Sequence, residues 1–239
     1  ERDEIVAALN TASNSLFVAR SGALWEWADG RFGAVSLNRD FYPVSPRHVC
    51  EDDQGRVWMM SGADESSRLV RFEGGQVQPV ALPGDLAGSR IQAVAKDASG
   101  QIWLGTSRGL AVLRGDRFEP VELPELEAAA NITDLVASGD GGLWVCGTNH
   151  WQRKYAAGRW VGAASQISGV QTSLGLLGED RWGNLCFGVY PEGFVTVSPE
   201  GTLRKLDPQN GLPGTTVSSY LADREGNEWL GLLDGGLVR

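Results

Sequence analysis

One phrase recurs six times along the chain, and its spacing leaves few architectures open. It reads DDQGRVWMM at 52–60, DASGQIWLG at 97–105, SGDGGLWVC at 138–146, DRWGNLCFG at 180–188 and DREGNEWLG at 223–231, with a looser TASNSLFVA at 11–19. Aligned on the aromatic position, the copies place Phe17, Trp58, Trp103, Trp144, Cys186 and Trp229 at intervals of 41, 45, 41, 42 and 43 residues. Three positions earlier stand Asn14, Gly55, Gly100, Gly141, Gly183 and Gly226. Asparagine is the non-glycine residue that best tolerates left-handed backbone, so the first copy fits the same turn. Asp52, Asp97, Asp180 and Asp223 open the phrase three residues before the glycine. Asp at the first position and Gly at the fourth mark a tight turn in which the Asp side chain bonds nearby amides.

A short apolar run precedes each turn, as in IQAVAK (91–96), ITDLVA (132–137) and VSSYLA (217–222). After the aromatic strand come a third strand, such as GLAVL (109–113), and a fourth, such as RFEPVEL (117–123), each entered through a glycine-containing turn. Four short strands joined by hairpins make one small antiparallel sheet. Both faces of that sheet are apolar, so each must be covered on two sides. A period of ~40–45 residues with four strands is the mark of radially stacked blades. The expected fold is an all-β propeller with the tryptophans sealed between blades. Five blades are expected at about 5–38, 45–82, 89–123, 131–163 and 174–206, and a partial sixth at 216–239. The expectation is that these form part of a seven-bladed ring completed by a longer polypeptide. A helical solenoid is excluded because no period holds ten residues with 3.6 spacing, ELEAAAN (125–131) being the one helix-friendly run.

Composition narrows the function. The 239 residues include 32 glycines, about twice ordinary usage, as a turn-rich chain requires. A formal net charge of −9 argues against nucleic-acid and anionic-membrane partners. No run approaches the ~20 apolar residues of a membrane span, and no leader is visible. Cys50, Cys146 and Cys186 all fall in apolar strands, an odd and scattered set that reads as small buried hydrophobes. The two histidines, His48 and His150, lie far apart, and no His/Cys/Asp group has metal-ligand spacing. The acidic pair Glu51–Asp52 sits at a turn, where solvation explains it. No catalytic residue, metal or cofactor is therefore expected.

The run D-x-x-G-N-x-W-[LVI]-G with a following G-G-L, and N-G-L-P ahead of the next unit, resembles the two-component regulator propeller repeat. DREGNEWLGLLDGGLVR (223–239), NGLPGTTV (210–217) and DASGQIWLGTSRGLAVL (97–113) carry the resemblance, while Cys186 departs from it. The resemblance implies the extracytoplasmic, periplasmic sensor region of a membrane-anchored histidine-kinase-type receptor. It implies sensing of carbohydrate-related ligands and no catalysis in the propeller itself.

Propellers bind over one face, on the loops between second and third strands and between blades. The fourth unit's loop is unusual in holding Asn149, His150, Trp151, Gln152 and Arg153 where other copies are small. An aromatic with amide and cationic neighbours suits stacking on a sugar ring and bonding its hydroxyls. The opposing reading has Trp151 covering a blade edge. Tyr190 and Arg108 are expected to frame the same patch. Arg47, His48, Arg90, Gln92, Asn131 and Ser218 at the starts of inner strands form a second set near the channel mouth, where a water-lined channel also accounts for them. Three functions compete: a ligand sensor, with an oligosaccharide or other small molecule as partner; a scaffold or homodimerisation module; and a propeller-framed lyase.

Overall fold

The Asp–Gly phrase folds the same way in every copy the structure shows. In the computed structural model, which describes residues 5–10, 16–20, 23–28, 30–35, 49–61, 68–123, 131–167, 173–233 and 235–239, each phrase joins the first two strands of a sheet. Gly55, Gly100, Gly141, Gly183 and Gly226 all have φ between 76° and 93°, the left-handed region where a Cβ is penalised. At Gly100 a Cβ would also meet the Asp53 carboxylate at 2.6 Å. The turn closes through bonds such as Gly100 N to Asp97 O at 3.0 Å. The Asp97 carboxylate accepts from Ser99 N and Gln101 N at 2.9 and 3.0 Å, tying the turn to its own backbone.

Among the described residues these turns give five four-stranded antiparallel meanders and one three-stranded sheet. The first comprises β1 (Ile5–Asn10), β2 (Leu16–Arg20), β3 (Ala23–Ala28) and β4 (Arg31–Val35). The second comprises β5 (Val49–Glu51), β6 (Val57–Ser61), β7 (Arg68–Glu73) and β8 (Gln76–Pro79). The third comprises β9 (Ile91–Lys96), β10 (Ile102–Thr106), β11 (Gly109–Arg114) and β12 (Arg117–Val121). The fourth comprises β13 (Ile132–Ala137), β14 (Leu143–Gly147), β15 (Trp151–Ala156) and β16 (Arg159–Gln166). The fifth comprises β17 (Ser173–Glu179), β18 (Leu185–Tyr190), β19 (Gly193–Val197) and β20 (Leu203–Leu206). The last comprises β21 (Val217–Ala222), β22 (Glu228–Leu232) and β23 (Gly236–Val238). This is the expected all-β propeller of four-stranded blades. The helix-friendly run 125–131 lies, apart from Asn131, outside the described residues. No helix among the described residues is long and apolar enough to cross a membrane.

Two compact units divide the chain, Glu1–Thr133 and Asp134–Arg239. In the first, alternation along β6 sends Val57 and Met59 to a core with Leu24, Val70 and Phe72, while Trp58 and Met60 enter a second core with Ile91, Val94, Leu104 and Phe118. The period-2 side-chain pattern thus gives the second blade two buried faces. Trp58 is 1% exposed and meets Phe118 of the following blade edge-on, centroids 5.5 Å apart. In the second unit, Cys146, Leu176, Phe187 and Val195 share one core, and Cys186, Phe194, Val217 and Leu230 the next.

Each indole also anchors its own turn. Trp58, Trp103 and Trp229 donate Nε1–H to the carboxylates of Asp52, Asp97 and Asp223 at 2.8, 2.7 and 2.8 Å. The repeated Asp and Trp are therefore one device, six residues apart, in which the carboxylate fixes the turn and aims the ring.

The fourth blade has Ser138 where the second, third, fifth and sixth have Asp, and its neighbour supplies the missing carboxylate. Glu179, the last residue of β17, accepts from Trp144 Nε1 at 3.0 Å, Ser138 Oγ at 2.8 Å and Gly139 N at 2.6 Å. Lys96, the last residue of β9, reaches back likewise to Asp53 of the preceding turn at 2.8 Å. Glu179→Ala should lower stability by about 2 kcal/mol, the scale of hydrogen bonds to a charged acceptor. A lower urea midpoint at unchanged denaturant slope would show this, and no shift would refute the substitution of roles.

The three cysteines behave as core residues. Burial pushes the Cys50 and Cys186 thiols up to about 12 and raises that of Cys146 well above its ordinary value. A thiol held protonated in this way is a poor nucleophile.

Candidate functional site

Of the predicted ligand residues, Arg47 and His48 lie outside the described residues. The others are distributed over both units. In the first, Arg108 is exposed at the β10–β11 turn, where Nη1 donates to Ala87 O at 3.1 Å. Arg90 is half-buried, and its backbone exchanges bonds with Ser107. Gln92 and Asn131 are half-buried, with the Nε2 of one and the Oδ1 of the other shielded from water. In the second unit, the Ser218 hydroxyl donates to Gly231 O at 3.2 Å.

The 149–153 segment is built differently from the expected sugar platform. Asn149 and His150 form a 3-10 turn with Thr148 and both take left-handed backbone, φ 64° and 59°. That double reversal turns the next residue inward. Trp151 opens β15 opposite Gly147, is 9% exposed, and lays its indole where a Cβ at Gly147 would stand. Its ring covers the blade end and leaves no face for stacking. Gln152 is also buried. Arg153 is half-buried beneath the strand, 5.8 Å from the Trp160 ring centroid. Asn149 is exposed and His150 half-buried, so those two side chains reach solvent. Tyr190, 63% exposed, stands at the corresponding hairpin of the fifth blade. Trp151→Ala should therefore lower stability, by about 2–3 kcal/mol at a strand end that can partly collapse. An unchanged melting temperature would return Trp151 to the role of exposed platform.

A different concavity lies at the opposite end of the fifth blade, where the β17–β18 and β19–β20 hairpins meet β22. It encloses about 560 Å³ and is lined by Asp180, Trp182, Asn184, Thr196, Arg204 and Glu228, with Ser198, Glu200 and Thr202 on its rim. Its origin is the one departure from the aromatic register. Cys186 pairs with Thr196, and Thr196 with Arg204, so all three side chains share a face. In the second blade the same row reads Trp58, Arg71 and Gln78, and the indole extends over Arg71, centroid 5.8 Å from the guanidinium carbon. With a thiol at 186, Thr196 and Arg204 are left uncovered.

The gap is sealed only at its inner end. Tyr220 of the next blade stacks on Phe194 with centroids 6.0 Å apart and packs where Gly178 has no side chain. Asp180, lacking an indole donor, accepts instead from Asn184 Nδ2 at 2.6 Å, with Trp182 N and Asn184 N on its other oxygen. Burial and the neighbouring Cys186 and Glu228 raise the Tyr220 phenol, whose hydroxyl donates to Glu228 at 3.1 Å. Glu200 is held below its ordinary carboxyl value by the Ser198 hydroxyl and its own backbone N–H, and so stays ionised at neutral pH.

Trp182 is the exception among turn residues. The matching positions elsewhere hold Gln54, Ser99, Asp140 and Glu225, whereas here a 61% exposed indole stands at the mouth of the concavity. The Arg181 guanidinium lies 4.2 Å from the ring centroid. Sequence reasoning passed over Trp182 by attending to second-to-third strand loops. The readable signals were an aromatic at the third place of an Asp–Gly turn and the missing tryptophan six residues after Asp180.

Meandering blades, Asp–Gly turns and tryptophan seals define a propeller assembled from one repeat. The two component regulator propeller model matches residues 85–108, spanning β9, its turn and β10. No curated protein matches the sequence. Among solved structures, the chain is similar to a catalytically inactive histidine-to-alanine form of virginiamycin B lyase from Staphylococcus aureus with quinupristin. The TM-score is 0.73 at 12% identity, over 99% of this chain and 83% of that one. It is similar to a gluconolactonase from Xanthomonas campestris, with TM-score 0.63 and 16% identity over 98% and 86% of the two chains. It is also similar to the extracellular domain of a hybrid two component system from B. thetaiotaomicron. There the TM-score is 0.59 at 17% identity, over 99% of this chain but 38% of that one. At such identities the likeness is one of fold.

Proposed function

We propose that this propeller is the ligand-sensing, non-catalytic region of a two-component signalling receptor, displayed outside the cytoplasm and responsive to carbohydrate-related ligands. The observation that carries the reading is the match of residues 85–108 to the two component regulator propeller, in a chain whose second and sixth blades repeat the same Asp–Gly–Trp device. The likeness to an extracellular domain of a hybrid two component system supports it. Polar, solvent-facing concavities such as that beside Trp182 fit recognition of a polar small molecule.

Enzymatic turnover is the second reading, favoured by the likeness to a lyase and a gluconolactonase. Replacing one histidine leaves that lyase catalytically inactive, and this chain holds two histidines in all. His150, the one among the described residues, sits in a strained turn, and no three His, Cys, Asp or Glu side chains of the described residues are grouped to hold a metal.

Calorimetry with an oligosaccharide panel, alongside turnover assays with quinupristin and gluconolactone, separates the readings. Saturable heat without turnover is expected. Turnover of either compound would overturn the non-catalytic assignment. No heat with any saccharide, together with concentration-dependent dimerisation in sedimentation, would favour a scaffold.

A further inference from the structure

We infer that the concavity between the fifth and sixth blades binds a small hydroxylated organic cation, the chemistry of an amino sugar. As the ligand site of a sensor this rests on the reading above, but binding itself does not. Three features converge. First, the space is one that the repeat normally fills: where four other blades place an indole, Cys186 leaves Thr196 and Arg204 facing an opening of about 560 Å³. That volume lies within the range of small-ligand sites.

Second, the exposed Trp182 offers an apolar face at its mouth, suited to the C–H side of a pyranose ring, and a π-surface that attracts cations. The Arg181 guanidinium already lies over that ring, and Arg181 also reaches Gly226, where a Cβ would stand 2.6 Å from Nη1. The indole is thus shown to take a cation.

Third, the polar lining has a sign. Asp180, Glu200 and Glu228 outnumber Arg204 in the lining and Arg181 at the mouth together, and Glu200 is ionised at neutral pH. Asp180 is spent on three bonds within its own turn, whereas Glu228 takes one bond from Tyr220 and Glu200 one from Ser198, so each carboxylate has acceptor capacity for an ammonium group. The hydroxyls of Thr196 and Thr202 can exchange bonds with ligand hydroxyls, and Arg204 can donate to them. A net charge of −9 steers cations toward the whole surface.

The test titrates the purified chain with glucosamine, N-acetylglucosamine and glucose, following tryptophan emission and heat. Glucosamine should bind and perturb the emission of Trp182. Acylating its amine should weaken binding about tenfold, the loss of one charge-assisted hydrogen bond. Glu228→Gln should weaken glucosamine about as much while leaving N-acetylglucosamine unaffected. Trp182→Ala should abolish the emission change at an unaltered melting temperature, since the side chain is exposed. Raising the salt concentration should weaken glucosamine alone. Equal affinity for all three sugars would overturn the cationic assignment. Absence of glucosamine binding, or binding untouched by Trp182→Ala and Glu228→Gln, would overturn the site. If another saccharide then binds elsewhere on the chain, the sensor reading survives this failure.

Discussion

Replacing Trp58 with alanine should destabilise the protein by about 3–5 kcal/mol, at the upper end of what a single truncation costs. The ring is 1% exposed and sealed between the second and third blades. It contacts Phe118 edge-on and lies within 5.3 and 5.8 Å of the Arg56 and Arg71 guanidinium carbons. Truncation opens a cavity bounded by two sheets whose strands are fixed by their ladders, so little relaxation is available. It also leaves the Asp52 carboxylate short of a donor. Equilibrium unfolding in urea is the measurement. A loss below about 1 kcal/mol would mean that the blades are not held by their indoles.

Asp52→Ala should cost a comparable amount, about 3–5 kcal/mol, for a different reason. The Asp52 carboxylate accepts from Arg56 Nε at 2.6 Å, Trp58 Nε1 at 2.8 Å, and the Gln54 and Arg56 amides at 3.0 Å. Arg56 is itself 5% exposed, so removing its partner leaves a buried guanidinium with Asp116 alone, 2.5 Å from Nη1. Since one carboxylate serves turn and indole together, the double variant with Trp58→Ala should cost less than the two single losses added. Strict additivity would mean that the turn and the ring act independently.

The same carboxylates set an acid limit. Burial acts to raise the Asp52 carboxyl, but bonds from Trp58, Arg56 and Gln54 outweigh it and hold the group below its ordinary value. Bonds from Trp229 and Asn227 hold Asp223 at about 2, against an ordinary 3.8. Each folded carboxylate thus binds its proton at lower pH than the unfolded one. Their stabilisation is complete above about pH 4 and is lost as the pH falls toward 2. The melting temperature should be flat above that window and drop through it.

The architecture was legible because it is written in spacing. A period of 41 to 45 residues, an Asp and a Gly at fixed offsets and a tryptophan at the next fixed step specify a turn, a strand and a seal. Compensation across blades was not legible. Nothing in the sequence of β17 shows that Glu179 serves the turn of another blade, because its partners lie 35 to 41 residues away. The candidate loop left two readings of Trp151 open, and its burial has a local reason. Polar neighbours around Trp151 read as an exposed surface, yet two consecutive left-handed residues before it direct the ring inward. Asn149 and His150 are of the non-glycine types that tolerate left-handed backbone, but no glycine marked the turn, and their polarity was read as ligand chemistry. Trp182 escaped because its turn was classed as structural along with the others.

Cys186 carries a broader implication. In a tandem array every unit repeats the same solution, so losing bulk in one of them can be buffered locally, here by Tyr220 of the next blade and by Asn184 of the same turn. The vacated volume then becomes free to specialise without any insertion or change in topology. Novelty in such an array can begin by subtraction, at the position where a uniform sequence breaks its own rule.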